Sequence, residues 1–148
     1  IAEFAPSDAS LIELNVLRSS NKEEFTRIAF YKTRGYRNWE RYSAWERDKL
    51  LEATDSLITI DNSYSSTASD VWSRAPETGP VYVGPNEPLV LRVFIDKSIV
   101  EVFVNNKQCV AVRVYPERKD SVGISLRAQG KKVTLKSMDV WQMKNIYQ

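Results

Sequence analysis

The 148-residue chain is 43% hydrophobic and 27% charged, which suits a single globular domain over residues 1–148 that needs neither disulfide nor metal to fold. Its 21 basic and 19 acidic residues are scattered and leave a net charge of +2, too weak a field to draw in nucleic acid, and no apolar run approaches the roughly 18 residues of a membrane span. With no histidine, serine–histidine and cysteine–histidine nucleophiles and imidazole metal ligation are excluded, so catalysis would rest on carboxylates.

The chain starts "IAEFAPSDAS", with neither an initiator methionine nor a signal-like segment, and reads as a piece of something longer. Next come "SLIELNVLRSS" and "EEFTRIAFYKT", in which alternating apolar residues predict strands. "RGYRNWERYSAWERDKLLEATDS" breaks the alternation. Ser43 followed by Glu46 spells a capping box, and the helix formers after it predict a short helix near 44–53.

"SLITIDNS" is a further strand, closed by Asp61 and Asn62. "SYSSTASDVWSRAPETGPVYVGPNEP" holds four of the six prolines and reads as a long surface loop, since proline donates nothing to a ladder. Three strands follow in "LRVFIDKSIVEVFVNNKQCVAVRVYPERKD", then "SVGISLRAQG" and "KKVTLKSMDVWQMKNIY". About eight strands at this spacing predict an all-β fold, a two-layer antiparallel β-sandwich of jelly-roll or concanavalin type with one inserted helix.

The hairpin region allows a register to be worked out. Side chains alternate between faces, so Leu91, Val93 and Ile95 mark the core side of the first strand, and Val100, Val102 and Val104 that of the second. Val93 then faces Val102 across a Lys97-Ser98 turn, which leaves Arg92 opposite Phe103 and Phe94 opposite Glu101 on the outer face. The third strand buries Val110, Val112 and Val114, and two registers satisfy it. One opposes Glu101 to Arg113, and the other opposes Glu101 to Ala111. An opposed ion pair adds roughly 0.2–1 kcal/mol, which favours a structural Glu101–Arg113 pair. Asp96 and Glu101 share the outer face diagonally, but an adjacent Arg113 would hold Glu101 ionised, whereas a general acid needs a raised pKa.

Cys109 reads as strand filler. The aromatics Tyr36, Trp39, Tyr42 and Trp45 alternate with Arg37, Arg41 and Arg47, and Trp72 lies beside Arg74. Such rings can stack on a sugar or pack against protein, while Trp141 in the last strand reads as packing. Asp61, Asp70 and Asp120 are oxygen donors in turns, but no calcium-loop spelling surrounds them, so no metal site and no cofactor is expected.

Residues 89–116, "LVLRVFIDKSIVEVFVNNKQCVAVRVYP", with "DSVGISLRAQG" and "VTLKSMDVWQMKNIY", resemble the C-terminal β-sandwich module of glycoside hydrolase family 32. That family comprises invertases, levanases, inulinases and related β-fructosidases. The matching positions are Leu91, Arg92, Phe94, Asp96, Ser98, Val100 to Phe103, Arg113, Tyr115, Pro116, Gly123, Trp141, Lys144 and Ile146. The resemblance covers residues 56–147 and, loosely, 8–34, and leaves 36–53 as an insertion. It implies a catalytic five-bladed propeller in the same polypeptide, with acidic residues in "NDPNG", "RDP" and "EC" motifs. None of these is present here, so no catalytic residue carries over.

The resemblance therefore implies a non-catalytic module that packs on and stabilises that propeller, in a parent acting on fructan or sucrose, with dimer contacts in some relatives. The alternative is a carbohydrate-binding module using the aromatic patch. Polymeric fructans are too large to enter cells, which implies an extracellular or periplasmic parent.

Overall fold

The computed structural model describes residues 1–35 and 54–144. Among the described residues the chain forms only strands: β1 (Ala2–Phe4), β2 (Leu11–Arg18), β3 (Thr26–Tyr31), β4 (Ser56–Asp61), β5 (Glu77–Val81), β6 (Leu89–Asp96), β7 (Ile99–Val104), β8 (Gln108–Arg113), β9 (Gly123–Gln129) and β10 (Leu135–Met138). The helix expected near 44–53 lies outside the described residues. The strands form two five-stranded antiparallel sheets, in the orders β10-β1-β6-β7-β8 and β5-β4-β3-β2-β9. This is the expected two-layer sandwich.

Alternation decides what the layers enclose. Ile12, Leu14, Val16, Ile28, Phe30, Ile58 and Ile60 point inward from the β2–β4 sheet and meet Leu89, Leu91, Val100, Val102 and Val104 of the other. The three β7 valines are completely buried, as are Ile28, Ile58, Ile60 and Leu91. Each such side chain contributes roughly 1.5–3 kcal/mol, and β-branched residues also suit the pleated backbone.

The β6–β7 pairing follows the expected register, with Val93 opposite Val102 and Ile95 opposite Val100. Lys97 opens the connecting turn with a φ of 52°. The β7–β8 register corrects the expectation: Glu101 lies opposite Ala111, and Arg113 lies opposite Ile99. No ion pair joins Glu101 to Arg113 among the described residues.

The turn explains this difference. Asn105 and Asn106 both take left-handed backbone conformations, with φ of 49° and 55°, and the Lys107 amide closes the turn on the Val104 carbonyl at 2.8 Å. Such a tight turn fits only the register in which Val104 faces Gln108. The Asn105 side chain secures it. Its oxygen accepts from the Val90 amide at 2.7 Å, and its nitrogen donates to the Pro88 carbonyl at 2.9 Å and to Glu87 at 2.8 Å. Three such bonds outweigh one surface ion pair.

Three further expectations change. The proline-rich segment contains β5, with Pro80 opposite Leu57, and β5 is an edge strand, where a missing amide costs least. The N-terminal residues form β1, inserted between β10 and β6. The last strand stops at Met138, so Trp141 is 63% exposed rather than packed inside.

The loops at one end of the sandwich are tied by Glu24, which is fully buried. Its Oε1 accepts from the Thr67 amide at 2.8 Å, the Thr67 hydroxyl at 3.0 Å and the Glu117 amide at 3.0 Å. Its Oε2 accepts from the Arg118 amide at 3.1 Å and the Ser121 hydroxyl at 2.6 Å. Burial by itself pushes the carboxyl pKa up, but these donors outweigh it and bring the group down to about 2. Beside it Arg118 bonds Asp120 at 2.9 Å and Glu23 at 3.1 Å, and the Ser20 hydroxyl bonds Asp120 at 2.6 Å. Arg118 and then Ser20 hold the Asp120 carboxyl well below the usual carboxylate range.

Candidate docking face

The β6–β7–β8 registers set the side chains of the outer face in rows. Arg92, Phe103 and Cys109 form one row, Phe94, Glu101 and Ala111 the next, and Asp96, Ile99 and Arg113 the third. Phe94 and Phe103, diagonal neighbours, meet edge to face with ring centroids 5.8 Å apart and planes at 90°. That geometry suits the aromatic quadrupole and holds both rings on the surface. Phe94 is 45% exposed and Ile99 39% exposed.

The outer face of the second sheet is mixed as well. There Ser125, Asn15, Arg27 and Asp61 form one row across β9, β2, β3 and β4. Thr59 and Thr78 hydroxyls bond at 3.1 Å, and Arg27 pairs with Glu13 at 3.5 Å. On the same face Glu13 and Ala29 are buried, and Leu11, Tyr31, Leu57 and Pro80 form an apolar row. The β6–β8 face mixes rings and aliphatic groups with Arg92, Arg113, Asp96 and Glu101. Glu101 sits at the middle of the three rows, with Phe94, Phe103, Ile99 and Ala111 around it and Arg92, Asp96 and Arg113 at the corners. Rings and aliphatic groups set among charges suit a surface that another protein surface covers.

One rim of this face is rigid. Glu87 accepts from Lys107 at 2.7 Å, the Gly84 amide at 2.9 Å and Asn105 at 2.8 Å. Burial raises the Glu87 pKa, but Lys107 and these amides outweigh it and leave the carboxyl below its ordinary value. Cys109, expected as filler inside a strand, points outward and is exposed. Partial burial and the Glu101 charge push its thiol pKa up, which keeps it protonated and unreactive at neutral pH.

Of the aromatic residues singled out in the sequence, Tyr36, Trp39, Tyr42 and Trp45 lie outside the described residues. Trp72 is 88% exposed on the loop between β4 and β5. Asp96 and Glu101 lie along the open outer face rather than converging in a cleft. Among the described residues no three Cys, Asp or Glu side chains cluster as metal ligands, and Asp120 is already held by Arg118 and Ser20. Sequence reasoning placed Phe94 and Phe103 outward but did not single them out. Two rings at diagonal positions on one outer face were the available signal.

Two antiparallel sheets around an apolar interior define an all-β sandwich domain. Residues 1–142 match the family described as "Glycosyl hydrolases family 32 C terminal", and the chain belongs to that family. It is 29% identical over 137 residues to beta-fructofuranosidase, insoluble isoenzyme CWINV5, of Arabidopsis thaliana, covering 89% of this chain and 22% of that protein. It is 26% identical over 149 residues to a levanase of Bacillus subtilis, covering 99% of this chain and 19% of the levanase. Among solved structures, the exo-inulinase of Aspergillus awamori superposes with a TM-score of 0.63 at 21% identity, covering 89% of this chain and 22% of that one. The chain thus spans about a fifth of the length of the relatives it matches.

Proposed function

We propose that this chain is the non-catalytic C-terminal module of a longer β-fructosidase acting on fructan or sucrose, and that it packs on the catalytic propeller and stabilises it. The outer face of β6, β7 and β8 is the contact surface. The observation that carries this reading is the Phe94–Phe103 ring pair on that face, with Phe94 45% exposed and Phe103 half-buried beside it. It is supported by the names of the relatives, a beta-fructofuranosidase and a levanase, each about five times as long as this chain.

Domain interfaces within a chain bury about 600–1,500 Å², and an exposed ring such as Phe94 supplies an anchor of the kind that dominates such contacts. Phe94→Asp in the parent enzyme tests this. Thermal unfolding of the parent, followed by loss of sucrose or inulin cleavage, is expected to shift down by several degrees. The same substitution should leave the sandwich core intact, because Phe94 lies on the outer face. An unchanged inactivation temperature would overturn the reading.

A second reading, a carbohydrate-binding module, has Trp72 in its favour, since a ring so fully exposed on a loop is open to stack on a sugar. Under this reading Tyr36, Trp39, Tyr42 and Trp45 would add to the patch. Titration with inulin, levan or sucrose should then change tryptophan fluorescence, and a flat titration removes this reading.

A further inference from the structure

β6 has eight residues and β1 only three, and their ladder runs from Phe4 opposite Leu89 to Ala2 opposite Leu91. Beyond Leu91 the β1 side of β6 has no partner strand among the described residues, although its other side stays paired with β7 as far as Asp96 opposite Ile99.

The direction of the peptide groups shows what is left open. The Asn105 amide donates to the Val90 carbonyl at 3.0 Å, and the Val90 amide donates to the Asn105 side chain at 2.7 Å. Val90 therefore turns both its polar groups toward β7, and alternation turns those of Val93 and Ile95 toward the vacant side. Ile1, in contrast, exchanges hydrogen bonds with Asp139 at 2.7 and 2.9 Å, on its β10 side. The next residue upstream would then turn its amide and carbonyl to β6, directly opposite Val93.

The side chains agree. Ile95 faces the interior yet is 43% exposed, whereas its β7 neighbours Val100 and Val102 are completely buried. An open, apolar strand edge of this kind is one that folded proteins cover.

We propose that in the intact polypeptide the residues immediately upstream of Ile1 extend β1 along β6, pairing with Val93 and Ile95 and closing this corner of the sandwich. The proposal rests on the reading of this chain as the C-terminal part of a longer enzyme. The occupant is the same chain because the added strand is a collinear continuation of β1, in register, with its peptide groups already facing the open edge. The entering polypeptide is thereby built into the sheet rather than left as a loose linker.

Hydrogen–deuterium exchange on the full-length enzyme, resolved to single residues, tests this. The Val93 and Ile95 amides should exchange at least about 100-fold more slowly than in an unstructured peptide. Proline in place of the residue directly before Ile1 puts its ring where an amide would donate to the Val93 carbonyl. That should push the residue off β6 and speed exchange of the Val93 amide while the core amides of Val100 and Val102 stay slow, which shows that the sandwich is folded. Proline one position further upstream, where the amide points away from β6, should leave Val93 protected. Fast exchange at Val93 and Ile95 in the unmodified enzyme, or equal protection at Val93 with either proline, overturns the proposal. A parent whose upstream domain is no propeller, but in which the first proline still frees Val93, overturns the functional reading and leaves this inference standing.

Discussion

Glu24→Gln removes one charge from a buried site and replaces an acceptor oxygen by a donor. Whichever way the amide turns, its nitrogen faces groups that already donate: either the Arg118 amide and the Ser121 hydroxyl, or the Thr67 and Glu117 groups. Losing two charge-assisted bonds and leaving buried donors unpaired costs about 3 kcal/mol. The pKa leads to the same figure independently. A carboxyl brought from 4.5 to about 2 on folding contributes about 3 kcal/mol at neutral pH. In a domain of this size that corresponds to a Tm lower by roughly 10 °C.

The pH dependence has a definite sign. Above pH 4.5 Glu24 is ionised in both the folded and the unfolded chain, and the stabilisation is complete. As pH falls toward 2, the unfolded chain takes up a proton that the native site resists, and the contribution drains away. Urea unfolding at pH 7 and pH 3 of the wild type and Glu24→Gln measures both quantities. The variant should be about 3 kcal/mol less stable at pH 7, and the gap should narrow by more than half at pH 3. A gap below about 0.5 kcal/mol at pH 7, or one that is constant with pH, would refute the assignment.

Asn105→Ala should cost about 2–3 kcal/mol by urea unfolding, because it removes three hydrogen bonds and puts alanine in a left-handed conformation; Asn105→Gly should recover only the backbone part. Gly123→Ala would bring a Cβ to 2.7 Å from the Arg18 carbonyl oxygen, at the point where β9 joins β2, and should lower the unfolding midpoint by the equivalent of about 1–3 kcal/mol. In a double-mutant cycle Glu101→Gln and Arg113→Gln should couple by less than about 0.3 kcal/mol, since the two are not opposed; coupling near 1 kcal/mol would restore the ion pair.

The fold was legible wherever alternation had only one solution. Val93 opposite Val102 follows from parity and a two-residue turn, and the structure has it. Parity alone does not separate β7–β8 registers two residues apart, and the ion pair used to choose between them carries less energy than the Asn105 bonds, which reach across to residues 87–90. β5 was hidden because proline argues against a strand until the strand is known to lie at an edge, which only the topology reveals. Glu24 was out of reach for a different reason. Its donors come from Thr67, Glu117, Arg118 and Ser121, 43 to 97 residues away, and nothing in the local "NKEEF" spelling marks one glutamate as buried and the other as exposed.

The same parity that fixes the core also separates the two surfaces assigned to β6. Its even-numbered residues send side chains outward, and Phe94 meets Phe103 there; its odd-numbered residues send peptide groups sideways toward the open edge at Val93 and Ile95. A strand added at that edge therefore cannot change which side chains face out, and a partner on the outer face cannot satisfy the edge. Phe94→Asp and the proline before Ile1 act on neighbouring positions of one strand but on different contacts, and independent contacts add to within about 0.3–0.5 kcal/mol. Combined in the full-length enzyme, their effects on unfolding should add to within that margin if docking face and added strand hold the module independently. A combined effect no larger than the greater single one would mean that a single contact does both jobs.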